Sequence, residues 1–208
     1  MSTSPTTKLN AVNSMLTTIG EAPVNSLSSG LLDAETAETI LDEVSRSVQS
    51  QGWNFNRERD VSVAADSDGN VVLSTEIIRA DLANSETKFR SSENEFVQRG
   101  NKMYDKVNQT FNIAKTLKLD IVRLLDFEVL PEVARYYISM RAARIFQDRV
   151  VGSQTLTAMN RNDEQQALFA LQEMEGDNGD YNIFDDYGTA SVINRSINTK
   201  VITNGSSF

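Results

Sequence analysis

Asp66, Asp68 and Asn70 stand at alternate positions around Gly69, and oxygen ligands so spaced could hold a hard cation. The calcium loop that this spacing approaches needs its glycine one residue after the third ligand and a glutamate at the twelfth position. Here the glycine precedes Asn70 and the twelfth position is Ile77, so the stretch reads as a hairpin turn. Asp177 and Asp180 enclose an Asn-Gly pair, and Asp185 adjoins Asp186. Two carboxylates facing each other across a cleft could hydrolyse a glycosidic bond. Among 29 Asp and Glu, however, close pairs arise by chance. Arg99, Lys102 and Lys106 surround Tyr104, an interleaving that could stack on and neutralise nucleic acid. Asp105 interrupts that set, which reads as a solvated hairpin. The sequence has no phosphate-binding glycine loop of either common type.

Composition narrows the chemistry further. With no cysteine, disulfides, thiolate metal sites and cysteine nucleophiles are excluded. With no histidine, a Ser-His-Asp triad is excluded, and so is the commonest general base. Carboxylate pairs, Ser-Lys dyads and oxygen-ligand cation sites stay open without being singled out. We expect no cofactor, no metal and no catalytic residue. The formal charge of −9 makes the chain a poor general binder of phosphates. It is compatible with a wall past which a polyanion slides. No apolar run approaches the ~20 residues of a membrane span, and the N-terminal "MSTSPTTKLN" has no apolar signal core. We therefore expect neither membrane insertion nor secretory export.

The elements follow from periodicity. Leu9, Val12, Met15, Leu16 and Ile19 share one face of a helix over residues 8–19, which Gly20 stops. Asp33 is the expected N-cap of a second helix over 34–51, with Ala37, Ile40, Leu41, Val44 and Val48 as its stripe. Gly52 is the expected left-handed stop. Trp53 and Phe55 then fall on one side of a strand, with Asn54 and Asn56 on the other. Gly52, Trp53 and Phe55 are the expected structural anchor where helix gives way to sheet. From 57 to 125 the period is 2. "VSVAADSDGNVVL" reads as strand, Asp-Gly turn, strand; "FVQRGNKMYD" reads as a hairpin with Gly100 and Asn101 at its tip; Leu117, Leu119 and Ile121 alternate in a further strand. "ANSETKFRSSENE" between strands reads as a mobile loop.

Helical period returns near residue 130, with Pro131 at the first helical position and a stripe through Val133, Tyr136, Tyr137, Met140, Ala143 and Phe146. A fourth helix is expected over 155–175, with Leu156, Met159, Ala167, Ala170, Leu171 and Met174 buried and Gly176 as its end. Beyond it, Tyr181, Ile183, Phe184 and Tyr187 lie in a stretch without helical period. That stretch reads either as a disordered terminus or as an arm that these four residues anchor on a partner. The expected class is α+β: an antiparallel bundle of about four helices (1–56 and 126–176), a small β lobe (57–125) inserted between the second and third helices, and an extended C-terminal arm (177–208).

Several stretches then resemble one family in order along the chain: "LNAVNSMLTTIGEAPVNSL", "SQGWNFN", "VQRGNKMYD", "IVRLLDFEVLPEVARYYI", "ARIFQDRVVGS" and "GDYNIF". Together they resemble tail tubular protein A, the adaptor or gatekeeper family of short-tailed bacteriophages. The resemblance implies a structural protein of the virion tail at the head–tail junction, assembled in the host cytoplasm. It implies a homo-oligomer, a dodecameric ring below the portal protein, with the tail nozzle protein (tail tubular protein B) beneath and tail fibres attached around that junction. Double-stranded DNA would pass through the channel without specific binding. It implies no enzyme. The reading opposed to it is a carboxylate-dependent glycan hydrolase associated with the tail, which a cleft holding two facing acids would favour. A nucleic-acid-binding module is the third, and the absent basic stripe argues against it.

Overall fold

The computed structural model describes residues 4–83 and 95–179. Four helices carry the first body: α1 (Lys8–Thr18), α2 (Leu32–Gln49), α3 (Glu132–Val150) and α4 (Gln154–Gly179). Thr7 caps α1 by accepting the amide N–H of Asn10. α1 packs on α2 and α3, α2 packs on α3, and α4 lies chiefly along α3. Their buried stripes merge into one apolar cluster through Met15, Leu16, Leu41, Val48, Tyr137, Ile138, Phe146 and Leu171. Among the described residues no helix is long and apolar enough to cross a membrane.

Five strands carry the second body: β1 (Arg57–Val63), β2 (Ile77–Leu82), β3 (Phe96–Arg99), β4 (Lys102–Asp105) and β5 (Leu117–Arg123). One sheet has the order β1-β5-β2, antiparallel throughout, and β3 pairs with β4 in a separate hairpin. Arg99 faces Lys102 across the hairpin tip, which leaves Gly100 and Asn101 as the turn; Gly100 takes φ +61°, as such turns require. A second apolar cluster forms here, around Leu119, Ile121, Met103, Phe96 and Val71.

The structure corrects several expectations. Residues 54–56 form a 3₁₀ turn, not the start of a strand, and Asn56 is buried although alternation placed it on the side opposite Trp53 and Phe55. α2 begins at Leu32 with no side-chain cap, and Asp33 lies in its first turn beside Glu35, where both oppose the positive end of the helix dipole. Pro131 occupies the N-cap of α3, one position before the helix. Tyr136 points outward, while Ala134, Ile138 and Ala142 take the buried side. The segment after the 66–69 turn does not build a hairpin with β1: Ala65 and Val71 make one bridge, and β1 pairs instead with β5, some 60 residues away. α4 runs on through Gly176, and Met159 and Ala170 are exposed where the sequence placed them inside. α4 rests mainly on one neighbour, so it buries only the narrow strip that includes Ala167 and Leu171.

Candidate functional site

The chain crosses between the two bodies twice, at 53–57 and at 123–126, and both crossings meet at the end of α2. The carboxamide of Gln49 clamps the peptide of Leu125: its Nε2 donates to the Leu125 carbonyl at 2.9 Å, and its Oε1 accepts the Leu125 N–H at 2.8 Å. Asn56 bridges the two crossings directly, because its Nδ2 donates to the carbonyls of Gln49 (2.9 Å) and Arg123 (2.8 Å). Both side chains are buried, so these bonds act in a medium where an unmade bond is costly. The Asn56 Oδ1 is the one buried side-chain polar atom among the described residues without a partner.

Gly52, Trp53 and Phe55 lie at this junction. Gly52 follows α2 with φ +77°, a conformation that a side chain would strain. A Cβ there would also meet Val122 Cγ2 and Arg79 Nη2, each at 2.9 Å, and Arg57 Nη2 at 3.2 Å. Trp53 is 9% exposed and its indole N–H donates to the Val48 carbonyl at 2.8 Å. Phe55 is half-buried and packs against the helical core. Next to them the Glu175 carboxylate of α4 accepts the Asn54 N–H at 2.7 Å. Tyr181, Ile183, Phe184 and Tyr187 lie outside the described residues, as does most of the stretch from 83 to 95.

On the lobe side of the junction, Arg57 and Arg79 line a cleft of about 230 Å³ floored by Ile121 and Val122. Asp81 and Asp120, cross-strand partners in β2 and β5, line it too. This is the place where a pair of acids could be asked to do hydrolysis. Asp81 is 71% exposed with the Arg79 guanidinium 3.5 Å away, and Asp120 accepts the amide N–H of Asp60. A wider groove of about 480 Å³ runs between β2 and β3.

In two of the sequence motifs that suggested ligands, side chains engage other groups of the chain, while Asp180, Asp185 and Asp186 lie outside the described residues. Asp66 Oδ1 accepts the N–H groups of Asn70 (2.8 Å) and Asp68 (3.0 Å), which fixes a turn and holds its carboxyl below the usual range. The Arg99 guanidinium stacks 3.7 Å from the Tyr104 ring centroid, and Tyr104 meets Phe111 edge to face at 4.9 Å. Apolar side chains are exposed on both bodies, with Leu32 at 75% and Phe169 at 66% on the helical one, and Val107 on the lobe.

Sequence reasoning passed over Gln49, Asn56, Arg57 and Arg79. A signal for the first existed: Ser45 and Gln49 continue the i, i+4 row from Leu41, which puts two polar residues on the face otherwise read as core.

The sequence model of the family described as tail tubular protein matches residues 9–181. Tail tubular protein A of Klebsiella phage KP34 is 28% identical over 168 residues, which covers 80% of this chain and 86% of that protein. The match runs through both bodies and both crossings between them, and the chain belongs to the tail tubular protein family, structural proteins of bacteriophage tails.

Proposed function

We propose that the chain is the adaptor subunit of a phage head-to-tail connector, twelve copies closing into a ring between the portal protein and the tail nozzle. The observation that carries this reading is the family match across residues 9–181. Exposed apolar side chains on the helices, such as Leu32 and Phe169, suit heterologous contacts that close by rotation. The helical body and the β lobe serve as two contact surfaces of one subunit, one for the sibling copies and one for unlike collars. Tail fibres attach around the adaptor–nozzle junction, and DNA passes without being gripped, in keeping with the net charge of −9. No catalytic role belongs to this reading.

Electron microscopy of the purified chain with its portal protein tests it. A coaxial twelve-fold ring stacked beneath the portal is the expected result. Particles that lack the chain yet keep packaged genomes and complete infectious tails would overturn it. Within the same reading, Tyr181, Phe184 and Tyr187 anchor the C-terminal arm on a neighbouring copy or on the portal. Ending the chain after Gly179 should leave the folded body intact and weaken head–tail joining; unchanged joining would reject that role for the arm.

A further inference from the structure

α4 buries little for its length. α2 and α3 each bury eight side chains. Of the described side chains of α4 only Ala167 and Leu171 are buried, with Leu168 and Met174 covered in part. The two buried residues belong to one row, Glu164, Ala167, Leu171 and Glu175, whose spacings of three and four positions set them on a single face of the helix. That face has apolar contact in its middle and a carboxylate at each end, the ends lying roughly 16 Å apart along the axis.

The two carboxylates hold different things. Glu164 is set between two arginines of α3: one oxygen accepts the Arg144 Nε–H, and the other stands 3.7 Å from Arg141 Nη1. The bond to Glu164 raises the pKa of Arg144. Around it the contact stays polar. Arg144 Nη1 meets Asp148 at 3.1 Å, Thr157 of α4 donates to Asp148, and Arg141 donates to the Tyr137 hydroxyl at 2.9 Å. Glu175, at the other end, lies on the junction. Its oxygens accept the N–H of Asn54 at 2.7 and 3.0 Å, at the first residue of the 3₁₀ turn through which the chain crosses to the lobe. The start of α4 is separated from α3 by a reversal: Val151 and Gly152 both donate to the Gln147 carbonyl, closing α3, and Gly152 takes φ +67°. α4 can therefore swing without unwinding α3.

We propose that α4 is a releasable strap: seated on α3 through Glu164, it keeps Glu175 on the Asn54 amide and so steadies the crossing at 53–57 and the angle between the helical body and the β lobe. Three turns of helix are stiff, so losing the Glu164 contact at one end withdraws Glu175 at the other. Unseating α4 exposes little apolar surface, and it takes less free energy than opening α1, α2 and α3, whose stripes make up most of the main cluster. The bonds of Gln49 and Asn56 then hold the junction without the strap. The inference goes beyond the adaptor reading and does not depend on it, because the isolated full-length chain is enough to test it.

Amide exchange on the full-length chain reads the strap. Glu164→Gln should speed exchange at Ala167 and Leu171 roughly tenfold or more, and at Asn54 and Asn56 by a similar factor, while Val12 in α1 and Leu41 in α2 keep their protection. Glu175→Ala, at the far end, should speed Asn54 more than Ala167. The angle between the bodies is read separately. The chain has no cysteine, so S14C/K118C places one spin label on α1 and one on β5, both at exposed positions. The distribution of distances between them should be narrow in the parent and broader with E164Q or E175A. Should E164Q fail to fold, R141Q/R144Q removes the same contact from the α3 side. Faster exchange confined to α4, with an unchanged distance distribution, would overturn the link to the junction. Equal acceleration at Val12 and Leu41 would make the four helices one cooperative unit and overturn the strap. Unchanged exchange in every folded variant would overturn it as well.

Discussion

The helical body and the β lobe differ in how they are held. Among the described residues, 22 buried apolar side chains form the helical cluster and only 8 the cluster of the lobe. Apolar burial contributes roughly in proportion to area, so among the described residues the first cluster contributes more than the second. The charges divide the same way: the lobe is electrically balanced and the remainder of the chain is acidic. Beside the apolar packing of Trp53, Phe55 and Leu125, a set of directional bonds from Gln49 and Asn56 to backbone atoms joins them. Hydrophobic contact is non-directional, whereas a carboxamide clamped on a peptide fixes an orientation. In the proposed adaptor, which would meet neighbours through both bodies, the angle between them would be part of its function.

The largest expected effect tests whether the helical cluster extends to the junction. Trp53→Ala removes a buried indole and its bond to Val48, and should cost about 3–5 kcal/mol of stability in denaturant unfolding. Phe111→Ala, in the more exposed aromatic pair of the lobe, should cost less than about 1 kcal/mol. Similar losses for both would erase the distinction between a deep body and a shallow one.

The next effect tests the clamp. Gln49→Leu keeps the volume but strands the N–H and the carbonyl of Leu125, at about 1–3 kcal/mol for each group left unsatisfied. The loss should fall on the lobe first. Amide exchange at Leu119 and Ile121 should accelerate while Tyr137 and Phe146 in α3 hold their protection. Uniform acceleration in both bodies would mean that they unfold as one unit and that the junction is only part of a common core.

How much of this was legible in the sequence follows from the range of each interaction. The stripe of α1 through Val12 and Leu16, the hairpin turn at Gly100 and the alternation of Leu119 and Ile121 are local, and all three are present in the structure. The partner of β1 was not legible, since pairing Val61 with Leu119 depends on closing a long loop and not on either strand alone. Trp53 to Asn56 alternate as a strand would, yet the Asn56 amide reaching Gln49 and Arg123 requires the turn that forms. α4 was read too wide because periodicity shows which residues share a face but not how many neighbours that face meets; Met159 stays exposed for this reason. Arg57 and Arg79 lie 22 positions apart in sequence and only the sheet brings them together around Gly52.

The smallest effect separates the two bodies by pH. Asp105, at the end of β4, is 6% exposed, and its carboxylate accepts the N–H groups of Asn108 (2.9 Å) and Val107 (2.8 Å) and the Nδ2 of Asn108 (2.8 Å). The Asn108 amide does most to favour the charged form; burial opposes it but does not win, so the pKa in the folded chain lies below that of an ordinary carboxyl group. A depressed folded pKa means that the contribution is fully present above the unfolded value, about 3.9, and is lost as pH falls through the folded one. Asp105→Asn retains one acceptor oxygen and removes the titration. Above about pH 5 the parent lobe should therefore be the more stable of the two, and the gap should narrow as the solution is taken toward pH 2.5. Exchange of the Met103 amide, bonded to the Val71 carbonyl inside the lobe, reads that gap, and Trp53 fluorescence reads the helical body in the same samples. A gap that is independent of pH would show that the turn after β4 is held by its shape and not by its charge. A matching change at Trp53 would show that the acid response passes through the clamp into the helices.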